Sequence, residues 1–300
     1  LGFWNIFCEL GLTGICLPEQ HGGVGMGASA LVVVGEEAGA VSPGMGALLV
    51  LHNAMASAYL EGFADDPLHG ERLQGLSCGT LAGTMGLGVS GGQRVLNAAD
   101  VVSVALMTDS EGSSCLASLE GAAQSEAPCF EGLHWATPQE GWGSLVSGRP
   151  LLTPDPLAMI GLGAVAIGAA RSAFEAAVVY STERKQFGKP ISQFQAIQWM
   201  LADSNAELDA ARLLVRQAAQ FSSDASDEVS RLAAQAALTA AENAVKIADR
   251  AIQVHGGYGY TREYPVERFW RDAQQVLVGC LDGGHAIRHR AGAALAQGLG

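Results

Sequence analysis

Between Asp227 and Val254 the chain repeats alanine at helical spacing. Ala233, Ala236, Ala237, Ala240, Ala244, Ala248 and Ala251 share one face. A methyl-lined face allows another helix to approach closely, so this stretch predicts a packed helix bundle. Its neighbours agree. "PLAMIGLGAVAIGAARSAFEAAVVYSTERK" predicts one long helix starting after Pro154 and Pro156. Gln193–Ser222 predicts a second, and 283–297 a last one, with short connections between them.

The rest of the chain has two textures. Residues 1–75 read as helices with glycine-rich breaks. Phe3, Ile6, Phe7 and Leu10 share a face, and "LPEQHGGVGMG" is a loop. The chain opens on Leu1 inside this helical pattern, and further residues are expected upstream. Residues 76–150 are richer in Gly, Ser, Thr and Val. They predict a small β-rich domain with strands at Val101–Met107 and in "SCLASLE". Residues 151–300 form the helical bundle. The order is helices, strands, helices, without βαβ alternation, so the fold class is mainly α with a small β-domain.

A hydrophobic share of 49% permits a sizeable core. The net charge of −13 argues against nucleic acid as a partner, because that binding neutralises phosphates with basic surface. It leaves room for a small anion held by a few local cations. The six cysteines show no metal spacing and read as reduced thiols of a cytoplasmic protein. No run of eighteen purely apolar residues marks a membrane span.

Several motifs compete for chemistry. Gly86–Gly91 matches GxGxxG, but "GQRVLNAADVV" follows where a dinucleotide fold needs a helix, so it reads as a loop of the β-domain. His285 and His289 could share a helical face with Asp282 nearby, but a third metal ligand is missing and no metal is predicted. Two tracts stand out. "ERKQFGKPI" places Arg184 and Lys185 between two helices, where Arg can make planar, bidentate contacts to phosphate. "QVHGGYGYTREYPVERFWRD" has glycines at 256, 257 and 259, where backbone turns sharply or something approaches closely.

Together, "ERKQFGKPISQFQAIQWMLAD", "QVHGGYGYTREYPVERFWRDA" and the N-terminal "LGLTGICLPEQHGGVGMGASALVVVGEEAGAV" resemble the acyl-CoA dehydrogenase family over most of 1–60 and 151–275. The resemblance implies a helical domain, a small β-domain and a four-helix bundle. It also implies FAD at a subunit interface and removal of two hydrogens across the Cα–Cβ bond of an acyl-CoA or acyl-carrier-protein thioester. By the same resemblance Arg184 contacts the FAD pyrophosphate with Phe187 packed nearby, and Gln195 is a further FAD contact. Gln253, Gly256 and Gly257 meet the flavin of a neighbouring subunit. Electron-transfer flavoprotein is the implied acceptor.

Two departures qualify this. The family's "TEP.GSD" stretch is missing from a shortened β-domain. The base glutamate aligns with Cys280 without gaps, or with Asp282 after a two-residue insertion that sets "DGGHAI" against "EGTSQI". An Asp can serve as general base, one C–C bond shorter. The alternative is a half-site subunit of a heteromer, completing the flavin site of a better-preserved partner.

Overall fold

The computed structural model describes residues 2–89, 92–98, 101–108, 114–120, 122, 124–127, 130, 133–136, 144–147, 155–221, 227–285, 288 and 292. Four helices come first: α1 (Gly2–Glu9), α2 (Gly27–Val41), α3 (Pro43–Gly62) and α4 (His69–Cys78). Seven strands follow: β1 (Ala82–Val89), β2 (Gly92–Asn97), β3 (Val102–Thr108), β4 (Ser114–Ser118), β5 (Gln124–Glu126), β6 (His134–Ala136) and β7 (Ser144–Ser147). They form one sheet in the order β5-β6-β2-β1-β3-β4-β7, in which only β1 and β3 pair in parallel. The C-terminal part holds α5 (Pro156–Glu183), the short hairpin β8 (Lys185–Gln186) and β9 (Lys189–Pro190), α6 (Gln195–Phe221), α7 (Asp227–His255) and α8 (Val266–Gln274).

The three long helices match their expected spans closely. α8 was not expected, because its tract reads as an interhelical loop. β1 was not expected either: the GxGxxG segment enters it, and the antiparallel β2 follows where a dinucleotide fold needs a helix. Residues 90 and 91 of that motif lie outside the described residues, as do His289 and most of 283–297.

The alanine face of α7 packs on α5. Ala233, Ala237, Ala244 and Ala248 are fully buried, and a Cβ on Gly163 of α5 would sit 3.2 Å from the Ala237 Cα. The α2–α5 seam is tighter still. A Cβ on Gly168 would lie 2.1 Å from the Glu36 carbonyl oxygen, and one on Gly39 would lie 2.4 Å from that of Val165. Above the seam, Glu36 is 5% exposed and is held by Arg212 of α6 at 3.0 Å and Arg171 of α5 at 3.7 Å. α5 is also long and apolar enough to cross a membrane, but 78% of its most apolar window is buried among the other helices.

The sheet is covered on both faces near β3. Val104 and Leu106 join the main core with α3 and α5, while Ala105 and Met107 join a second cluster with Trp4 of α1. Two adjacent polar residues of α3 pin this junction. His52 is fully buried, accepts the Gly83 N–H at Nδ1 (3.0 Å) and donates from Nε2 to the Leu76 carbonyl (3.0 Å). Asn53 donates to Leu12 O and accepts from Cys16 N–H. Cys8, Cys16, Cys78, Cys115 and Cys280 are free thiols.

Candidate functional site

α5 ends at Arg184, whose N–H donates to Tyr180 O at 2.9 Å and whose carbonyl accepts the Ile191 N–H at 2.8 Å. The chain therefore leaves and re-enters at one point, and the segment between must fold back as the β8–β9 hairpin. Its two turn residues, Phe187 (φ 52°) and Gly188 (φ 81°), both have positive φ, the requirement of the tightest hairpins. Phenylalanine is a strained choice there. Its ring is 93% exposed, touching Phe194 edge-on at 6.3 Å.

The second tract arrives from α7. Gly256 turns the chain at φ 63°, and residues Gly256–Tyr260 form a 3-10 turn. Gly259 is boxed in, since a Cβ would meet Ile252 O at 2.7 Å. Gly256 and Gly257 face open space, with nothing within 4 Å of an added Cβ.

The two tracts meet. A cleft of about 580 Å³ is lined by Tyr180, Arg184, Gln186, His255, Gly256, Gly257 and Tyr258 among others. The Arg184 guanidinium carbon lies 6.0 Å from the Tyr258 ring centre. A long guanidinium beside bare backbone and an aromatic face can receive a phosphate and a flat polar group together. Phe187 and Gln253 adjoin the lining through Gln186 and Val254, and both are exposed, as is Gln195 at the start of α6. The structure thus gathers Arg184, Gly256 and Gly257 in one cleft, leaves Phe187 and Gln253 at its margin, and places Gln195 outside the lining.

Three aromatics of the cleft, Tyr180, His255 and Tyr258, escaped the sequence reading, as did Tyr264 packed behind them. His255 is 3% exposed and stacks on Tyr180 at 4.2 Å, with Tyr264 edge-on at 5.1 Å. Its Nδ1–H donates to Ala251 O at 2.8 Å, its Nε2 is buried without a partner among the described residues, and burial pushes its pKa below the ordinary histidine value. The tyrosines at 180, 258 and 264 were visible in the sequence, but their convergence depends on two chain segments far apart.

The candidate base lies elsewhere. After α8 the helix widens into a π turn, Gln275–Cys280. Asp282 follows at φ 49°, half-buried, ahead of Gly283 and Gly284 at φ 60° and 78°. A Cβ on Gly284 would meet Leu238 at 2.4 Å, and Arg288 reaches both Gly283 O and Glu242. The turn therefore sits against the middle of α7. From Leu238 to His255 that helix rises about 25 Å. Cys280, the ungapped alternative, is 4% exposed, and burial pushes its thiol up to about 12. Among the described residues no cluster of His, Cys, Asp or Glu could hold a metal.

This combination of helical bundle, small sheet and second helical bundle is the acyl-CoA dehydrogenase fold. The chain belongs to the acyl-CoA dehydrogenase family: residues 2–79 match its N-terminal domain and residues 158–281 its C-terminal domain. The two matches leave 80–157 between them. A 3-(aryl)acrylate reductase from Clostridium sporogenes is 44% identical over 119 residues, which is 40% of this chain and 31% of that protein. The matched stretch thus spans about three tenths of such curated relatives. Over the fold as a whole, the Tcur3481–Tcur3483 steroid ACAD superposes with a TM-score of 0.82 at 26% identity, over 99% of this chain and 88% of the other. Butyryl-CoA dehydrogenase from Megasphaera elsdenii gives a TM-score of 0.82 at 22% identity, over 98% and 89%, and shows the shared fold.

Proposed function

We propose that the chain is an FAD-dependent acyl-CoA dehydrogenase-like oxidoreductase that forms a Cα–Cβ double bond in an acyl thioester. The observation that carries this is the convergence of Arg184, Gly256, Gly257 and Tyr258 on one cleft. The residues fit the cofactor: the guanidinium suits a pyrophosphate, and the open face over the two glycines lets it lie against backbone. When bound, FAD supplies the two-electron acceptor. Arg184 would hold and orient the anionic part, with Gln253 at the cleft margin and Gln195 as a further contact from the start of α6. Asp282 takes the α-proton of the thioester, and hydrogen bonds to the thioester carbonyl stabilise the charge that develops there. Because the Asp282 turn packs at Leu238 and the Arg184 cleft lies at His255, about 25 Å apart along α7, the cleft would hold a flavin used together with Asp282 of another chain. The active form is thus an oligomer, cytoplasmic, with electron-transfer flavoprotein as acceptor. Boundaries near residues 75 and 150 belong to the same proposal.

A second reading rests on a different observation. The ungapped base position is a buried thiol, and Asp282 stands one residue beyond the family match on a turn with positive φ. In this reading the chain is a half-site subunit whose cleft completes the flavin site of a second acyl-CoA dehydrogenase-like chain. The visible spectrum of the chain purified alone, measured with its mass in solution, separates the two. About one FAD per chain supports the complete enzyme, and Asp282→Asn must then abolish bleaching by acyl-CoA while the flavin stays bound. A protein that remains colourless after FAD is added sinks the self-sufficient enzyme and favours the half-site subunit.

A further inference from the structure

A second cleft, of about 590 Å³, lies next along the chain from Thr261 and shares no lining residue with the first. It lies between the start of α3 (Ser42, Gly44), Phe130, and the 262–272 segment with α8. Three arginines of a chain that has only 17 basic residues line it: Arg262, Arg268 and Arg271. Arg271 is engaged, forking onto Glu267 at 2.8 and 3.1 Å and holding that carboxyl below its ordinary range. Arg262 and Arg268 form no ion pair among the described residues. Arg262 is exposed, and Arg268 has one long bond, to Val41 O at 3.4 Å, with its Nε buried and without a partner. The other charges of the wall are Glu263, which is exposed, and Asp272, which is 4% exposed.

The backbone adds to this field. The 20-residue α3 begins at Pro43 and the nine-residue α8 at Val266, and both starts face the cleft. Neither is capped by a side chain, and the Ser42 hydroxyl makes no capping bond. Uncapped N–H groups and the positive end of a helix favour an anion. Phe130 and Tyr264 supply aromatic surface beside the cations, and the volume lies in the range of small-molecule sites.

We propose that this cleft is an anion site, separate from the Arg184 cleft, that takes the phosphate group of a small organic phosphate. Arg262 and Arg268 hold the phosphate, Ser42 donates its hydroxyl, and the organic part lies against Phe130 and Tyr264. The proposal does not depend on flavin binding.

Calorimetric titration of the full chain at fixed ionic strength tests it, with inorganic phosphate and adenosine monophosphate as probes. Saturable binding is expected for both, tighter for the nucleotide. Removing charge-assisted hydrogen bonds in Arg262→Gln/Arg268→Gln should weaken both by roughly tenfold or more, and should do so equally in an Arg184→Gln background, where the other cleft no longer competes for phosphate. Circular dichroism checks that the double variant folds. If it does not, Arg262→Gln, at an exposed residue, must weaken binding by itself. Absence of saturable binding, or binding that survives the Arg262 and Arg268 changes, overturns the site. Loss of all saturable binding on Arg184→Gln alone would move the anion to the other cleft and equally overturn it. Equal affinity for the two probes would refute the part played by Phe130 and Tyr264.

Discussion

Two pairs of glycines in this chain serve opposite ends. At the α2–α5 seam, Gly39 and Gly168 exist because the protein's own backbone fills the space a side chain would need. At the cleft, Gly256 and Gly257 face nothing within 4 Å. The first pair is demanded by packing, the second by nothing that the chain itself supplies. Gly256 still has a conformational reason in its φ of 63°, but Gly257 has neither reason. On the function proposed here, a residue that the fold does not need, beside an arginine with no ion pair among the described residues, is where the flavin would lie.

The contrast can be broken from either side. Gly168→Val should have the largest effect. It drives a side chain into the Glu36 carbonyl, and overpacking against backbone costs about 3 kcal/mol or more. Loss of soluble folded protein, or a large drop in the urea midpoint, is the expected result; a wild-type midpoint would show that the seam yields.

Acid titration probes the same framework through His52, which must be neutral to accept the Gly83 N–H. Burial lowers its pKa from 6.5 to about 4. The unfolded chain therefore binds the proton first, and stability falls as pH drops from about 6.5 to about 4. The full loss is about 3 kcal/mol at 1.36 kcal/mol per unit. In His52→Gln this part of the pH dependence should vanish; an unaltered slope would move the effect to other groups.

The cleft variants should separate binding from folding. Arg184→Gln should weaken FAD, or the partner's flavin, by roughly 10- to 100-fold, since charge-assisted bonds contribute about 1.5–3 kcal/mol. Its thermal unfolding should not change, because Arg184 is exposed. Gly257→Ala should follow the same pattern more weakly: stability unchanged or raised by about 0.4–1 kcal/mol, and flavin affinity lowered. A Gly257→Ala protein that binds flavin normally would remove the case for close approach. Phe187→Asn relieves a left-handed aromatic and should stabilise the isolated chain by about 1 kcal/mol while reducing flavin or subunit association.

Much of this was legible in the sequence. The alanine spacing of α7 predicts a close helix partner, because period and side-chain size are local properties. Arg184, Gly256 and Gly257 were legible as chemistry, through a basic residue at a helix end and glycines after another helix. α8 was missed although Val266, Phe269, Trp270 and Ala273 stand at i, i+3, i+4 and i+7: Pro265 and the dense charge mask so short a stripe, and the surface it needs, on α5 and α7, is assembled only in the tertiary fold. His255 was unreadable for a similar reason, since its burial depends on Tyr180 and Tyr264 closing over it.

By itself the sequence determined the helix periods, the strand-rich middle and the residues able to meet a phosphate, because each follows from spacing and chemistry within one segment. Only the tertiary structure decided that Arg184 and Gly257 share a cleft, that Cys280 is sealed in the core, and that the turn bearing Asp282 packs at Leu238, about 25 Å of helix rise from His255. Those outcomes depend on how rigid helices cross and which surfaces they exclude from water, and no local spacing encodes that.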